Sequence, residues 1–253
     1  MRRRPAVALG PPRTALVVGG TGGIGTAVVR HLAPVCERIL FTYGHQEEAA
    51  RGLEHELAGK GVAATAVRSD LGDAPAWEQT LCSLTKAEPI DLLVNAAGTS
   101  DDALCIDVGI DTFTHQYQVN VTAPWLAMVV VGRDMAYYRR GRIINVASIA
   151  ATVNSPGRSV YASTKAAVVS LTKSFAIELG RFGIRVNAVA PGFVETPMIR
   201  GFDETTRANF TSRVPLGRFA TADEVAGMVR FLASEHAEYL HGAVIPVDGG
   251  TSA

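Results

Sequence analysis

Three side chains in the second half of the sequence have the chemistry needed to reduce a carbonyl group. Tyr161 and Lys165 are four residues apart, so on a helix they share one face and reach a common site. A phenol is a poor acid-base catalyst at neutral pH, but a neighbouring ammonium stabilises its phenolate. Ser148 would hydrogen-bond the carbonyl oxygen as negative charge develops on it. This spacing also occurs by chance on helix surfaces, so the trio indicates hydride transfer only in the right context.

A glycine cluster near the start of the chain supplies that context. It follows a short apolar run at residues 15–18 and precedes apolar residues at helical spacing. Glycines at such a turn let the backbone approach a pyrophosphate, and the helix N-terminus supplies N–H donors. The pattern therefore predicts a dinucleotide-binding loop rather than an ordinary glycine-rich turn. Its expected cofactor contacts are Gly19, Thr21, Gly22, Gly23, Ile24 and Gly25.

The end of the second predicted strand bears on the choice of cofactor. Dinucleotide folds that bind NAD carry an acid here for the ribose 2′-OH, but this chain has Tyr43, Gly44 and His45. The missing acid removes the group that would repel a 2′-phosphate, and Thr42, His45 and the backbone could accept one. NADP(H) is therefore favoured, and NAD(H) stays possible because no arginine lies in this turn. Asp70, after the third strand, is expected either to meet the adenine or to cap a loop.

Alternating strand and helix patterns run along the whole chain, which predicts a parallel sheet with helices on both faces. The predicted strands are residues 15–18, 38–43, 63–68, 90–94, 142–147, 185–190 and 244–247. The predicted helices begin near residue 24 and then cover residues 47–57, 76–84, 112–138, 160–182 and 222–233, with an irregular stretch at 191–218. The fold class is therefore α/β, a single doubly wound Rossmann-type domain over residues 14–253. Ser148 ends a strand, where such sheets bind ligands.

Composition excludes several other classes of protein. The 253 residues carry 24 Lys+Arg and 24 Asp+Glu, and a net charge of zero argues against a dedicated nucleic-acid binder. The longest apolar run, residues 123–131, is interrupted by Pro124 and is too short to span a membrane. Cys36, Cys82 and Cys105 lack the spacing of a disulfide framework or a metal site, so we expect buried thiols in a cytoplasmic protein. Residues 1–13 are expected to form a disordered basic tail.

Taken together, these features resemble the short-chain dehydrogenase/reductase family, and within it the 3-oxoacyl-[acyl-carrier-protein] reductases and polyketide ketoreductases. The resemblance covers essentially the whole chain after about Arg13. It rests on Gly19-x-x-x-Gly23-Ile24-Gly25, Asp70, Asn95-Ala96-Ala97-Gly98, Asn120, Ser148, Tyr161-x-x-x-Lys165, Pro191-Gly192-x-x-x-Thr196-x-Met198 and Val247-Asp248-Gly249-Gly250.

The resemblance implies a catalytic tetrad of Asn120, Ser148, Tyr161 and Lys165. Tyr161 would donate the proton, Lys165 would bind the nicotinamide ribose, and Asn120 would hold a water that feeds a proton relay. The cofactor contacts expected outside the glycine loop are Tyr43, Gly44, His45, Asp70, Leu71, Asn95, Ala96, Ala97, Gly98, Tyr161, Lys165, Pro191, Gly192, Val194 and Thr196. No metal is expected.

The sequence departs from the family pattern at a few positions. Val18 stands where a threonine is usual and Ala96 where a second asparagine is common, so hydrogen bonds that brace the glycine turn are lost. The basic residue that usually selects NADP is missing from the loop, where Gly22 stands, and from the end of the second strand.

Substrate and partners are indicated by residues outside the motifs. The expected substrate lid at about residues 193–215 suits an acyl or polyketide chain, although its apolar residues could equally pack the lid onto the body. Those residues are Phe193, Met198, Ile199, Phe202 and Phe210.

Arginines near residue 140 could dock an acidic carrier protein or simply form a solvated face. They are Arg139, Arg140 and Arg142, with Arg181 and Arg185 near the next strand and Phe182 in place of an expected docking arginine. The resemblance also implies a homotetramer that packs the helices at 112–138 and 160–182 across a two-fold axis.

The sequence thus predicts an NADP(H)-dependent ketoreductase that reduces a 3-oxoacyl thioester, carrier-bound, to the 3-hydroxy product. One alternative is an alcohol dehydrogenase acting on a free small ketone or alcohol. A second alternative, from a different class, is a catalytically silent dinucleotide-sensing protein.

Overall fold

Seven segments pair as parallel strands in the computed structural model, which describes residues 10–197 and 203–253. They are β1 (Thr14–Val18), β2 (Arg38–Tyr43), β3 (Ala63–Arg68), β4 (Leu92–Asn95), β5 (Gly141–Val146), β6 (Ile184–Pro191) and β7 (Val244–Val247). Their order in the sheet is β3-β2-β1-β4-β5-β6-β7. The order reverses between β1 and β4, and such a switch point opens a crevice at the carboxyl ends of the strands.

Helices cover both faces of this sheet. They are α1 (Gly23–Leu32), α2 (Glu47–Ala58), α3 (Ala74–Ala87), α4 (Ile110–Tyr117), α5 (Ala123–Tyr138), α6 (Ser159–Leu179), α7 (Glu204–Thr211) and α8 (Ala222–Ala233). Successive strand residues face opposite ways, so Val17 packs into a core with α1, α2 and α8. Leu16 faces the second core, formed with α3, α5 and α6. The predicted doubly wound parallel sheet is confirmed, and predicted strand ends differ from observed ones by at most two residues.

The predicted helix at residues 112–138 is interrupted by a wider turn. Residues Gln118–Thr122 between α4 and α5 form a π-helical segment, in which the N–H of Ala123 donates to the carbonyl of Gln118. Pro124 follows at once and has no N–H to donate to the carbonyl of Asn120 four residues earlier. A widened turn of this kind accommodates the proline without ending the helix.

The stretch at 191–218, predicted to be irregular, contains the helix α7. Asp203 caps it by accepting a hydrogen bond from the N–H of Thr206 (2.7 Å), a local signal that the sequence pattern alone did not single out. Met198, Ile199 and Phe202 of the predicted lid lie outside the described residues, as does the tail up to residue 9. The rest of the predicted tail contacts the domain, because the carbonyl of Arg13 accepts from the N–H groups of Glu37 and Arg38.

The three cysteines do not share one environment, contrary to the expectation that all are buried. Cys36 is buried and Cys82 half-buried, but Cys105 is exposed because it lies in the loop between β4 and α4. Burial, with a smaller contribution from the charge of Asp91, raises the pKa of the Cys36 thiol to about 12. Cys36 therefore stays a neutral thiol at physiological pH. Among the described helices, none is both long enough and apolar enough to cross a membrane.

A chain of buried polar side chains ties the sheet to α6 beneath the carboxyl ends of the strands. Asn95 Nδ2 donates to Asn145 Oδ1 (2.8 Å), and Asn145 Nδ2 donates to Thr172 Oγ1 (2.9 Å). All three residues are buried, where a polar group without a partner is costly. These hydrogen bonds therefore fix α6 relative to β4 and β5, whose carboxyl ends lead into the crevice.

Replacing Asn145 by alanine is expected to lower the free energy of unfolding by about 2 to 3 kcal/mol, because the Asn95 amide and the Thr172 hydroxyl both lose a buried partner. Urea unfolding followed by tryptophan fluorescence measures this loss as a lower midpoint at an unchanged slope. Asn209→Ala, on the exposed surface of α7, is the matched control and should change stability by no more than about 0.5 kcal/mol. An Asn145→Ala protein as stable as the control would contradict this account of the core.

Candidate active site

A cavity of about 620 Å³ opens at the switch point of the sheet, above the carboxyl ends of the strands. The turns after β1, β2, β3, β4, β5 and β6 all contribute to its wall. Most residues expected to bind the cofactor or to act in catalysis line it together. These are Gly19, Thr21, Gly22, Gly23, Ile24, Tyr43, Gly44, His45, Asp70, Leu71, Ala96, Ala97, Gly98, Ser148, Tyr161, Lys165, Pro191, Gly192, Val194 and Thr196.

The glycine loop between β1 and α1 is folded too tightly to admit a side chain at Gly19 or Gly25. Gly19 has a φ of +81°, and a Cβ there would lie 2.7 Å from the Cα of Ala97. A Cβ on Gly25 would lie 2.0 Å from the carbonyl oxygen of Gly19. The result is a bare backbone cradle at the N-terminus of α1, which fits the pyrophosphate of a dinucleotide. Gly25 is not among the residues that line the cavity and packs against Gly19, so its expected cofactor contact stays a prediction.

Thr42 braces the glycine loop from below. Its Oγ1 accepts a hydrogen bond from the N–H of Gly19 (2.9 Å), and its carbonyl accepts from the N–H of Gly20 (2.8 Å). Thr42 is only 1% exposed, so its hydroxyl supports the loop rather than offering itself to a 2′-phosphate, as one sequence-based expectation had it. This contact stabilises a turn that lacks the usual threonine at position 18.

The end of the cavity formed by the turns after β2 and β3 carries a positive charge that no sequence motif indicated. The parallel register places Arg68, at the end of β3, beside Tyr43, at the end of β2, and both line the cavity with His45. A hydrogen bond from Arg51 and, to a lesser degree, the charge of Arg68 lower the pKa of Glu47 at the start of α2. The strand order 3-2-1 was the signal that could have found Arg68, because neighbouring parallel strands end side by side.

Asp70 lies on the same wall and also caps its own turn, by accepting a hydrogen bond from the N–H of Gly72 (2.8 Å). The loop-capping alternative is therefore observed. A contact with adenine stays a prediction.

The opposite end of the cavity holds Ser148, Tyr161 and Lys165. Lys165 is buried, and its Nζ donates to the carbonyl of Val146 at the end of β5 (2.9 Å) and lies 5.6 Å from the centroid of the Tyr161 ring. Ser148 Oγ accepts from the N–H of Ala150 (3.1 Å), which leaves the hydroxyl hydrogen for another acceptor. A phenol, a hydroxyl and an ammonium group thus line the same end of the cavity, at the place where an open sheet binds its ligand.

Asn120 lies behind this end of the cavity rather than in its wall. Its amide forms two hydrogen bonds with the backbone of Thr99: Oδ1 accepts from the N–H (2.9 Å), and Nδ2 donates to the carbonyl (2.8 Å). Nδ2 also donates to Thr164 Oγ1 (3.1 Å), one residue from Lys165. A Cβ on Gly98 would meet both Asn120 Oδ1 (3.3 Å) and Lys165 Nζ (3.4 Å). The side chain of Asn120 therefore positions its neighbours, and the expected water is not tested by these contacts.

Asn95 was expected to contact the cofactor, but its side chain donates a hydrogen bond to Asn145 in the core. It does not line the cavity, unlike Ala96 and Ala97 that follow it.

The cavity also includes Thr42, which the sequence offered for a 2′-phosphate, and residues that no sequence motif indicated. The latter are Gln46, Arg68, Ser69, Gly72, Thr99, His115, Val119, Val146, Ala147, Arg158, Phe193 and Pro197. Phe193 was expected only as part of the lid, and it packs against Phe210 (ring centroids 4.7 Å apart) and Phe219 (5.4 Å). The lid therefore both lines the cavity and packs onto the body. In the part of the chain that the structure describes, no group of three or more His, Cys, Asp or Glu side chains is arranged to hold a metal ion.

The arginines near residue 140 lie at the amino ends of the strands, opposite the end that carries the cavity. Arg139 and Arg140 immediately precede β5, whereas the cavity lies beyond its far end, roughly 17 Å away for a strand of this length. Arg140 pairs with Asp91 (2.9 Å), Arg139 donates to the carbonyl of Arg181 (3.0 Å), and Arg142 is buried. Their position and their partners give the expected docking of a carrier protein at this patch no support.

Comparison with known proteins agrees with this geometry. A family model described as "Enoyl-(Acyl carrier protein) reductase" matches residues 19–252. The 3-oxoacyl-[acyl-carrier-protein] reductase FabG of Aquifex aeolicus is 36% identical over 240 residues, which is 94% of this chain and 96% of that protein.

Solved structures show the same likeness. A short-chain dehydrogenase/reductase from Serratia marcescens has a TM-score of 0.90 at 33% identity and covers 98% of this chain and 100% of its own. A gluconate 5-dehydrogenase from Burkholderia cenocepacia, in complex with NADP and tartrate, has a TM-score of 0.89 at 31% identity over 95% of both chains. The chain belongs to the short-chain dehydrogenase/reductase family and is an oxidoreductase that acts on carbonyl and alcohol groups.

Proposed function

We propose that this protein is an NADP(H)-dependent ketoreductase that converts a 3-oxoacyl thioester, carried on an acyl carrier protein, to the 3-hydroxy product. The observation that carries the proposal is the convergence of Ser148, Tyr161 and Lys165 in one cavity with the glycine loop. The relative from Aquifex aeolicus, named for this reaction, supports the choice of substrate class.

The side chains at the catalytic end divide the chemistry among them. The glycine loop would hold the pyrophosphate of NADPH, whose reduced nicotinamide would supply the hydride. The Ser148 hydroxyl hydrogen, which its own contact with Ala150 leaves unused, donates to the substrate carbonyl oxygen. The Tyr161 hydroxyl then transfers its proton to that oxygen. Lys165 holds its ammonium close to Tyr161, where positive charge stabilises the phenolate left behind.

The supporting residues keep this arrangement in place. The carbonyl of Val146 holds Lys165, and Thr164 donates to the carbonyl of Tyr161 (2.7 Å) while accepting from Asn120. Both ends of the Tyr161–Lys165 helical turn are therefore fixed to neighbouring elements, which lowers the cost of reaching the reactive geometry.

The preference for NADP(H) over NAD(H) is argued from charge at the end of the cavity formed by the turns after β2 and β3, where the adenosine ribose would lie. No acid lies in the turn directly after β2, at residues 44–46, and Arg68 and His45 line this end of the cavity. A guanidinium pairs well with a phosphate group. The Burkholderia cenocepacia structure, which contains NADP, supports the same choice.

Assembly and location are further parts of the proposal. We expect a homotetramer, because the helices predicted to pack across a two-fold axis carry exposed apolar side chains, among them Trp125 (41% exposed) and Tyr137 (81%) on α5 and Ile177 (84%) on α6. Location in the cytoplasm stays a prediction from the sequence.

The second candidate function is reduction of a free small ketone, or oxidation of the corresponding alcohol. It is favoured by Arg158, which lines the catalytic end of the cavity and adds a positive charge that suits a small anionic substrate.

Tyr161→Phe is expected to reduce kcat/KM for NADPH-dependent reduction of acetoacetyl thioesters by about 10²- to 10⁴-fold, because the proton donor is lost. NADPH binding, followed by its fluorescence, should change little. Tyr239→Phe removes a hydroxyl from a fully exposed tyrosine and serves as the control. If the Tyr161→Phe enzyme reduces the thioester at the rate of the control, another residue donates the proton.

Arg68→Gln is expected to raise KM for NADPH about tenfold and to leave KM for NADH within about twofold, because only NADPH carries the 2′-phosphate. Initial rates with both cofactors give the ratio. Arg38→Gln removes an equal charge at the opposite end of the neighbouring strand β2, where Arg38 pairs with Glu88, and should leave the ratio unchanged. Equal effects of Arg68→Gln on the two cofactors would show that Arg68 does not read the phosphate.

A further inference from the structure

Arg158 has no part in the proposed reduction of a thioester. It immediately precedes α6, one helical turn before Tyr161, and its guanidinium carbon lies 4.8 Å from the centroid of the Tyr161 ring. It lines the cavity together with Ser148 and Tyr161. A permanent positive charge therefore stands beside the place where the substrate ketone must bind.

Two residues of the loop between β4 and α4 orient this guanidinium. Nε pairs with the carboxylate of Asp102 (3.2 Å to Oδ2), and Nη2 lies 3.5 Å from Ser100 Oγ. Ser100 Oγ in turn donates to Asp102 Oδ1 (2.6 Å). Within the described part of the chain, these contacts involve Nε and Nη2, so Nη1 keeps its two N–H groups for a ligand.

The charges around the cavity favour an anion at this end. The chain has no net charge, yet Arg68, Arg158 and Lys165 line the cavity, together with two histidines. Asp70 is the acid among the lining residues, and it lies at the other end, after β3. Asp102 is half-exposed and contacts Arg158 without lining the cavity. An anion beside Tyr161 would thus meet a cation whose orientation is already set.

We propose that Arg158 binds the carboxylate of a free 3-oxo acid, so that the enzyme reduces ionised 3-oxo acids to 3-hydroxy acids. A guanidinium and a carboxylate form paired charge-assisted hydrogen bonds, and in a 3-oxo acid the carboxylate is two carbons from the ketone. The hydride adds to C3, Tyr161 gives its proton to the C3 oxygen, and the carboxylate is unchanged. The inference rests on the ketoreductase chemistry proposed above but not on the thioester.

The competing role for Arg158 is purely structural. The same ion pair, together with the hydrogen bond from the N–H of Ala103 to the carbonyl of Gly157 (2.8 Å), fastens the β4–α4 loop to the start of α6. If fastening were the whole role, removing Asp102 would do the same damage as removing Arg158. If Arg158 binds substrate, the two changes have different effects on charged and neutral ketones.

The test compares acetoacetate with methyl acetoacetate, which have the same ketone but differ in charge, as substrates for NADPH-dependent reduction. In Arg158→Gln, the ratio of kcat/KM for the acid to that for the ester should fall at least about tenfold. Arg158→Lys should retain part of the preference because it retains the charge. Asp102→Asn should keep or increase the ratio, since it removes a carboxylate that competes for the guanidinium.

A binding measurement separates failure of this inference from failure of the proposed function. Butanoate, an unreactive carboxylate, should perturb the fluorescence of enzyme-bound NADPH in the wild type and not in Arg158→Gln. Wild-type reduction of the ester or the thioester but not of acetoacetate, or an unchanged ratio in Arg158→Gln, overturns the carboxylate site alone. Butanoate binding that depends on Arg158, without reduction of any 3-oxo compound, supports the site and overturns the proposed function. If neither binding nor reduction occurs, both are overturned.

Discussion

The structure depends on one close approach between backbones. Where β1 ends, Gly19 lies against Ala97, two residues beyond the end of β4, and Gly25 lies against the carbonyl of Gly19, at distances that leave no room for a Cβ. This contact turns the chain sharply into α1 at the point where the sheet changes direction. The N-terminus of α1 therefore faces the cavity, and the strand ends that carry Ser148 and Arg68 lie on either side of it. A side chain at either glycine would push these walls apart.

Much of this arrangement could be predicted from the sequence because it rests on local patterns. Strand and helix periodicity predicted the seven strands, and the glycine cluster and the Tyr161–Lys165 spacing predicted residues that meet in one cavity. The π-helical segment before Pro124 was not predicted, because its apolar spacing is that of an ordinary helix. Cys105 looked like a buried thiol, since three isolated cysteines give no information about exposure.

The residues that sequence reasoning missed act across the fold rather than along it. Arg68 gains its meaning only from lying beside Tyr43 on the neighbouring strand, and Arg158 only from its contacts with a loop more than fifty residues earlier in the chain. Conversely, Arg139 and Arg140 form a cluster in sequence, but in three dimensions they have partners far from the cavity. A zero net charge thus conceals a cavity whose charged lining residues are mainly cations, namely Arg68, Arg158 and Lys165 against Asp70.

The hydrogen bond between Lys165 Nζ and the carbonyl of Val146 determines when the conformational entropy of this lysine side chain is lost. A free lysine side chain has many rotamers, and confining it costs up to about 2 kcal/mol. Here that loss is incurred once, when the chain folds and Lys165 becomes buried against the end of β5. In the proposed reaction, each turnover then begins with the ammonium already in position, so binding a substrate does not have to order it again.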